Sequence, residues 1–80
     1  MTTKLTLTST PQQVSTGANQ VHLAVVRGQN PRYAIGATEP SKDNYYELKG
    51  YTMGIPAGFA VWMWAPTAEV IEIVYDEGTA

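Results

Sequence analysis

The chain has 80 residues and a formal net charge of −2, from 5 basic and 7 acidic side chains. A chain of this length makes one small domain, whose core is often supported by disulfides, a metal or a partner subunit. The sequence contains no cysteine and 1 histidine, which excludes disulfides, thiolate zinc sites and a multi-histidine cage within one chain. By elimination, the expected support is a second copy of the chain or a larger assembly.

Charged residues are few and scattered. They make up 15 % of the composition, below the roughly one quarter that is usual, and the basic ones form no patch. Because nucleic-acid binding draws most of its affinity from basic patches, we expect no nucleic-acid partner. The N-terminus lacks the apolar core of a signal peptide, and the apolar run 59–65 is too short to span a bilayer. We therefore expect no membrane partner and synthesis in the cytoplasm.

Glycines, prolines and polar turns divide the chain into short runs whose apolar residues recur with a period of two. This period is typical of strands, and no window of helical length shows a helical period. The sequence predicts an all-β fold, a small antiparallel β-sandwich or jelly-roll-like barrel of about seven to eight short strands in a single domain, residues 1–80. The candidate strands, in chain order, are 4–9, 12–16, 20–27, 32–36, 45–48, 51–53, 59–65 and 69–75.

The segments between these runs predict turns and loops. Residues 1–10 are expected to form an extended arm or an edge strand. Residues 28–31, Gly-Gln-Asn-Pro, are a strong turn signal and predict a hairpin between the third and fourth strands. Residues 38–44 contain no apolar side chain and predict a surface loop. Residues 76–80 predict a frayed polar tail.

No group of residues has the pattern of a catalytic or metal site. His22 is the one candidate general base, and no serine lies in a nucleophile motif; His22 is expected on the polar face of a strand. Glu69 and Glu72 would point to opposite faces of a strand, and the spacing of Asp76 and Glu77 fits no calcium loop. We expect no enzyme activity, no cofactor and no metal.

The strongest apolar run, 59–65, has bulky side chains on both faces. Trp62 and Trp64 share one face, and the intervening residues fill the other face with apolar side chains. Only one face of a strand enters a sandwich core, so the other must be covered or remain an exposed patch. The tryptophan pair is expected either to lie in the core or to anchor a subunit interface, with stacking on a sugar as an alternative. Three tyrosines flank the polar loop and either extend such a surface or cap the end of the sandwich: Tyr45, Tyr46 and Tyr51.

The order of motifs carries a resemblance. Residues 33–40 read Tyr-Ala-Ile-Gly-Ala-Thr-Glu-Pro, a polar spacer leads to Tyr-Glu-Leu-Lys-Gly at 46–50, and the Gly-bounded strand 59–65 precedes a final valine–isoleucine strand. Over residues 13–75 this order resembles small tailed-bacteriophage virion proteins of β-sandwich or jelly-roll type. That class includes capsid decoration (cement) proteins and tail or fibre accessory proteins.

The resemblance implies a non-enzymatic structural protein of the virion, most simply a capsid decoration protein that stabilises the head. Its partners would be its own copies, with a trimer favoured, and the major capsid protein or another virion protein. A tail or fibre accessory protein is the alternative within this class, and a carbohydrate-binding adhesion module that uses Trp62 and Trp64 is the alternative outside it. The N-terminal arm would add a strand to a neighbouring subunit. The residues expected at interfaces are Leu5, Leu7, Tyr45, Tyr46, Tyr51, Trp62 and Trp64.

Overall fold

The computed structural model describes residues 2–78, and within them the chain forms strands and turns without a helix. Eight strands are arranged in two antiparallel sheets of four strands each, which confirms the predicted small β-sandwich. The strand positions follow the two-residue apolar period closely. The strands are β1 Thr3–Leu7, β2 Gln12–Thr16, β3 Val21–Arg27, β4 Arg32–Ile35, β5 Tyr46–Glu47, β6 Thr52–Ile55, β7 Ala60–Trp64 and β8 Ile71–Glu77.

The chain crosses from one sheet to the other at almost every connection. The first sheet has the strand order β1-β8-β3-β6 and the second has the order β2-β7-β4-β5. The predicted hairpin between β3 and β4 is therefore wrong, because β3 pairs with β6 and β8 while β4 pairs with β5 and β7. A turn signal specifies that the chain reverses, but the apolar faces that must cover each other decide the sheet in which the returning strand lies.

The core lies between the inward faces of the two sheets. Leu7, Leu23 and Ile73 of the first sheet and Met63 of the second have no exposed surface. The register places alternate residues of neighbouring strands on the same face, as in the cross-strand pairs Leu5–Ile73 and Val25–Ile73. Burial of these side chains is the main stabilising contribution to the fold.

Both ends of the described chain lie in the first sheet. Residues 3–7 form its edge strand, so they pair within their own subunit. Asp76 and Glu77, predicted to be in a frayed tail, instead continue β8, because β3 pairs with them. Thr2 Oγ1 donates a hydrogen bond to Asp76 Oδ2 at 3.0 Å, and Asn19 Nδ2 donates one to Glu77 Oε2 at 3.2 Å. Residues 79 and 80, the rest of the predicted tail, lie outside the described residues.

Gly28 begins the crossover from β3 to the second sheet and passes close to the start of β8. Its φ is +100°, and a Cβ at this position would lie 3.0 Å from Val70 O and 3.2 Å from Ile71 Cα. Both contacts are to backbone atoms, which cannot move aside as a flexible side chain would. Glycine is therefore required here by conformation and by space.

We expect Gly28→Ala to destabilise the protein more than Gly50→Ala. Gly50 has a similar φ of +89° but open space around its Cβ position, so its substitution adds only the conformational penalty, about 1–2 kcal/mol. At Gly28 the crowding of the backbone adds about 1–3 kcal/mol. Urea denaturation of the two variants measures the difference, and equal losses of unfolding free energy would contradict the close approach.

Candidate interaction surface

The two tryptophans lie on the outer face of the second sheet. Val61 and Met63 occupy the inward positions of β7, so Trp62 and Trp64 point away from the sandwich core. Trp64 is nevertheless only 2 % exposed, and Trp62 is half-buried. The pair is therefore covered from outside the sandwich.

The cover is the segment that joins β4 to β5. Trp62 Nε1 donates a hydrogen bond to the carbonyl oxygen of Gly36 at 3.1 Å. The ring of Tyr45 meets that of Trp64 edge to face, with 6.2 Å between the centroids. Lys42 Nζ, near the middle of the segment, donates to the carbonyl oxygen of Ser9 at 3.2 Å. The polar loop predicted at 38–44 thus folds back over the outer face of the sheet.

The ring of Tyr45 also contacts a cationic side chain, that of Arg32. The guanidinium carbon of Arg32 lies 4.3 Å from the centroid of the Tyr45 ring, within the range of a cation–π contact. Arg32 is the cross-strand neighbour of Trp64 on one side and of Glu47 on the other. Tyr45 is thus held between Arg32 and Trp64, which fixes the end of the loop.

The burial of these residues corrects part of the predicted interface. Leu7 belongs to the sandwich core and Trp64 to the layer under the loop, so neither offers a surface to a partner while the fold is intact. Leu5 is half-buried on the inward face of β1. An open sugar platform of two tryptophans is likewise not formed, because Trp64 is buried and the indole nitrogen of Trp62 is already engaged.

A continuous uncharged surface lies on the side of the sandwich where β4 and β6 approach each other. Ile35 is 50 % exposed, Tyr46 60 % and Phe59 46 %. A groove of about 270 Å³ runs between Ile35, Met53 and Phe59. A second concavity, of about 330 Å³, lies next to Ile35 and is lined by Tyr45 and Tyr46. We call this the apolar surface and define it by Ile35, Tyr45, Tyr46, Met53 and Phe59.

Sequence reasoning identified two of these five residues. Tyr45 and Tyr46 were predicted at an interface, whereas Ile35, Met53 and Phe59 were not. Ile35 and Met53 belong to strands whose inward faces pack against the core, but β5 is only two residues long and leaves the end of β4 uncovered. Tyr51, also predicted, lies immediately before β6 and is strongly exposed. Its place at an interface stays a prediction.

Polar and charged side chains cluster on the outer face of the first sheet. His22 is exposed there, as predicted, opposite Asp76 of β8. Glu72 forms ion pairs with Lys4 at 3.4 Å and with Arg27 at 3.8 Å. Exposed ion pairs of this kind contribute little to stability. An open cleft of about 520 Å³ borders His22 and Asp76. Among residues 2–78 no three His, Asp or Glu side chains are grouped so that they could hold a metal ion.

The chemistry that the apolar surface supports is the burial of apolar and aromatic area against a partner. Its tyrosines are already ordered, since Tyr46 stacks on Tyr33 with 5.3 Å between the ring centroids. Within residues 2–78 there is no helix long and apolar enough to cross a membrane. Comparisons with protein-family models, with curated proteins and with solved structures found no match to this chain.

Proposed function

We propose that this protein is a non-catalytic assembly module of a tailed-phage virion, and specifically a capsid decoration protein. The observation that carries the assembly part of the proposal is the apolar surface. Contiguous exposed apolar side chains mark interaction sites, and tyrosine, phenylalanine and methionine are enriched at the centres of interfaces. The virion part of the proposal is supported by the resemblance of residues 13–75 to small phage structural proteins.

The ordering of the aromatic side chains favours binding at low entropic cost. Tyr45 is held between Arg32 and Trp64, and Tyr46 is stacked on Tyr33. Side chains that are already fixed lose little rotamer freedom when a partner covers them. On a capsid, many copies at symmetric positions multiply a modest contact through avidity.

Mass spectrometry of purified virions tests the function directly. We expect the protein to be a stoichiometric component of gradient-purified particles of the phage that carries its gene. Separation of heads from tails then distinguishes a decoration protein from a tail or fibre accessory protein. Absence from purified virions would overturn the virion proposal.

A matched pair of variants tests whether the apolar surface makes the contact. Tyr46→Ser combined with Phe59→Ser should lower the number of copies per particle. Val26→Ser combined with Val70→Ser should leave that number unchanged, because these exposed apolar side chains lie outside the apolar surface. Thermal unfolding of each variant monitors the fold. Equal occupancy of both double variants would contradict the assigned surface.

A further inference from the structure

The four edge strands of the sandwich differ in how they are protected from further pairing. Edge strands are commonly blocked by a charge, a bulge or shortness. On β1 the charge is Lys4, β2 has a register shift between Gln13 and Ser15, and β5 has only two residues. In contrast, β6 reads Thr-Met-Gly-Ile and pairs with β3 without a register shift. Among the edge strands of the described sheets it is the one without a charged residue, a register shift or a two-residue length, although Pro56 follows it directly.

The open side of β6 presents free backbone groups. Val25 N–H donates to the carbonyl oxygen of Tyr51 at 2.7 Å, which makes these two residues a hydrogen-bonded pair. Because such pairs alternate along an antiparallel ladder, Met53 and Ile55 bond to β3, whereas Thr52 and Gly54 direct their N–H and C=O groups outward. Within residues 2–78 no other strand pairs with this side of β6.

We propose that β6 pairs with β6 of a second copy of this chain around a two-fold axis. This inference rests on the assembly role proposed for the apolar surface, and it names a second copy as the partner that covers the β6 side of that surface. Thr52 of each copy would face Gly54 of the other, with Met53 on the axis. In that register each Thr52–Gly54 pair exchanges both N–H···O bonds. Of the two registers shifted by one outward position, one brings Pro56, which has no N–H, into the ladder. The other places Gly54 opposite Gly50, which lies outside β6.

The lack of charge in the groove on one side of β6 favours a second copy as the occupant, whereas the cleft on its other side is bordered by Asp76 and Glu77. In a two-fold interface each patch meets itself, so a charged side chain near the axis would face a charge of the same sign. The groove beside β6 avoids this problem, although the chain carries a net charge of −2. Its lining contains no charged residue: Ile35, Met53, Gly54, Ile55, Pro56, Phe59 and Val61.

The pairing would also bury apolar side chains that are exposed in the monomer. It joins the two copies of the first sheet into one continuous sheet and brings the two grooves together beside the axis. Ile35 and Phe59 of each copy, about half exposed in the monomer, would then lie next to the interface. The unit formed is a dimer, in contrast to the trimer that the resemblance implies.

Proline substitution on β6 tests the hydrogen bonds. Gly54→Pro removes a donor that points away from β3, whereas Gly54→Ala keeps the donor and places its methyl group in open space. By sedimentation equilibrium we expect dimers for the wild type and for Gly54→Ala, and a dissociation constant raised about tenfold or more for Gly54→Pro, since a bond is lost in each half of the interface. A trimer, a monomer at every concentration, or equal dimerisation of the two variants would overturn the pairing.

A disulfide test does not depend on how well the proline variant folds. The natural chain has no cysteine. Facing residues of a non-hydrogen-bonded pair have Cα atoms about 4.5 Å apart, within the range that a disulfide spans. Met53→Cys should therefore give a disulfide-linked dimer under mild oxidation, while Thr6→Cys on the edge strand β1 should remain largely monomeric. Equal cross-linking of the two would overturn the pairing.

These outcomes are separable from those of the proposed function. A trimer in solution, or unselective cross-linking, would reject β6 as the interface and leave a virion role intact. Absence of the protein from purified virions would reject the virion role even if Met53→Cys cross-links as expected.

Discussion

Deletion of residues 2–8 is expected to unfold the protein. These residues include the whole of β1, which pairs with β8 from Thr3 to Leu7. Without β1, Ile71 and Ile73 of β8 lose their neighbour on the inward face, and the side chain of Leu7, which is fully buried, is removed from the core. A domain of 80 residues has a small reserve of stability, on the order of 5–10 kcal/mol. Far-UV circular dichroism and urea denaturation of the truncated chain measure the effect.

Two point variants on the same strand show whether the loss comes from the core. Leu7→Ala should lower the free energy of unfolding by about 2–5 kcal/mol, because it empties a fully buried site. Thr6→Ala, on the exposed face next to it, should change the free energy by about 0.5 kcal/mol or less. A truncated chain that stays folded with unchanged stability would contradict the intrachain role of β1, and would favour the predicted arm that pairs with a neighbour.

Trp64→Ala should have the largest effect of any substitution outside the sandwich core. The side chain is 2 % exposed, and replacement of a buried tryptophan by alanine costs about 3–5 kcal/mol. The change also removes the edge-to-face contact with Tyr45, so the loop over the outer face should loosen. Urea denaturation reports the loss of stability, and limited proteolysis at residues 36–45 reports the loosened loop.

Phe59→Ala is the matched control for Trp64→Ala. Phe59 is also aromatic and immediately precedes β7, but it is 46 % exposed. Its substitution should cost about 1 kcal/mol or less and leave the proteolysis of residues 36–45 unchanged. If the two variants lose the same free energy of unfolding, the packing of Trp64 under the β4–β5 segment does not stabilise the fold as its burial indicates.

The strands and their faces were largely predictable from the sequence. In β1 apolar residues alternate with polar ones, and in β3 and β8 the buried residues recur at every second position, although Val26 and Val74 interrupt the polar face. Such a pattern records which face is buried, and burial acts on each residue locally. The bounds of β2, Gln12–Thr16, also agree with the predicted run, although Val14 is its one apolar residue.

The partners of the strands were not predictable in the same way. The turn at 28–31 was interpreted as a hairpin, but it carries the chain between the sheets, where Gly28 lies against the backbone of Val70 and Ile71. That contact joins residues far apart in sequence, and no local pattern encodes it. Asp76 and Glu77 were assigned to the tail because they are polar, whereas pairing with β3 keeps them in β8.

The candidate site shows the same limit. In β7 both faces are apolar, so the sequence does not indicate whether the tryptophans or Val61 and Met63 face the core. The choice depends on the outer cover, which comes from Tyr45 at the end of a loop otherwise without apolar residues. The exposure of Ile35 depends on the shortness of β5, which is a property of the assembled sheet.

The position of β8 has a consequence for biosynthesis. Of the eight described strands it is the last that the ribosome makes, yet it lies in the interior of the first sheet, between β1 and β3. Neither β1 nor the β8 side of β3 can complete its hydrogen bonds until β8 has left the exit tunnel. The first sheet therefore forms only after β8 has been made, and since most contacts are non-local its formation is slow. At about 5–20 residues per second, the apolar β1 segment and the β8 side of β3 stay unpaired in the nascent chain for several seconds, the interval in which a chaperone can bind them.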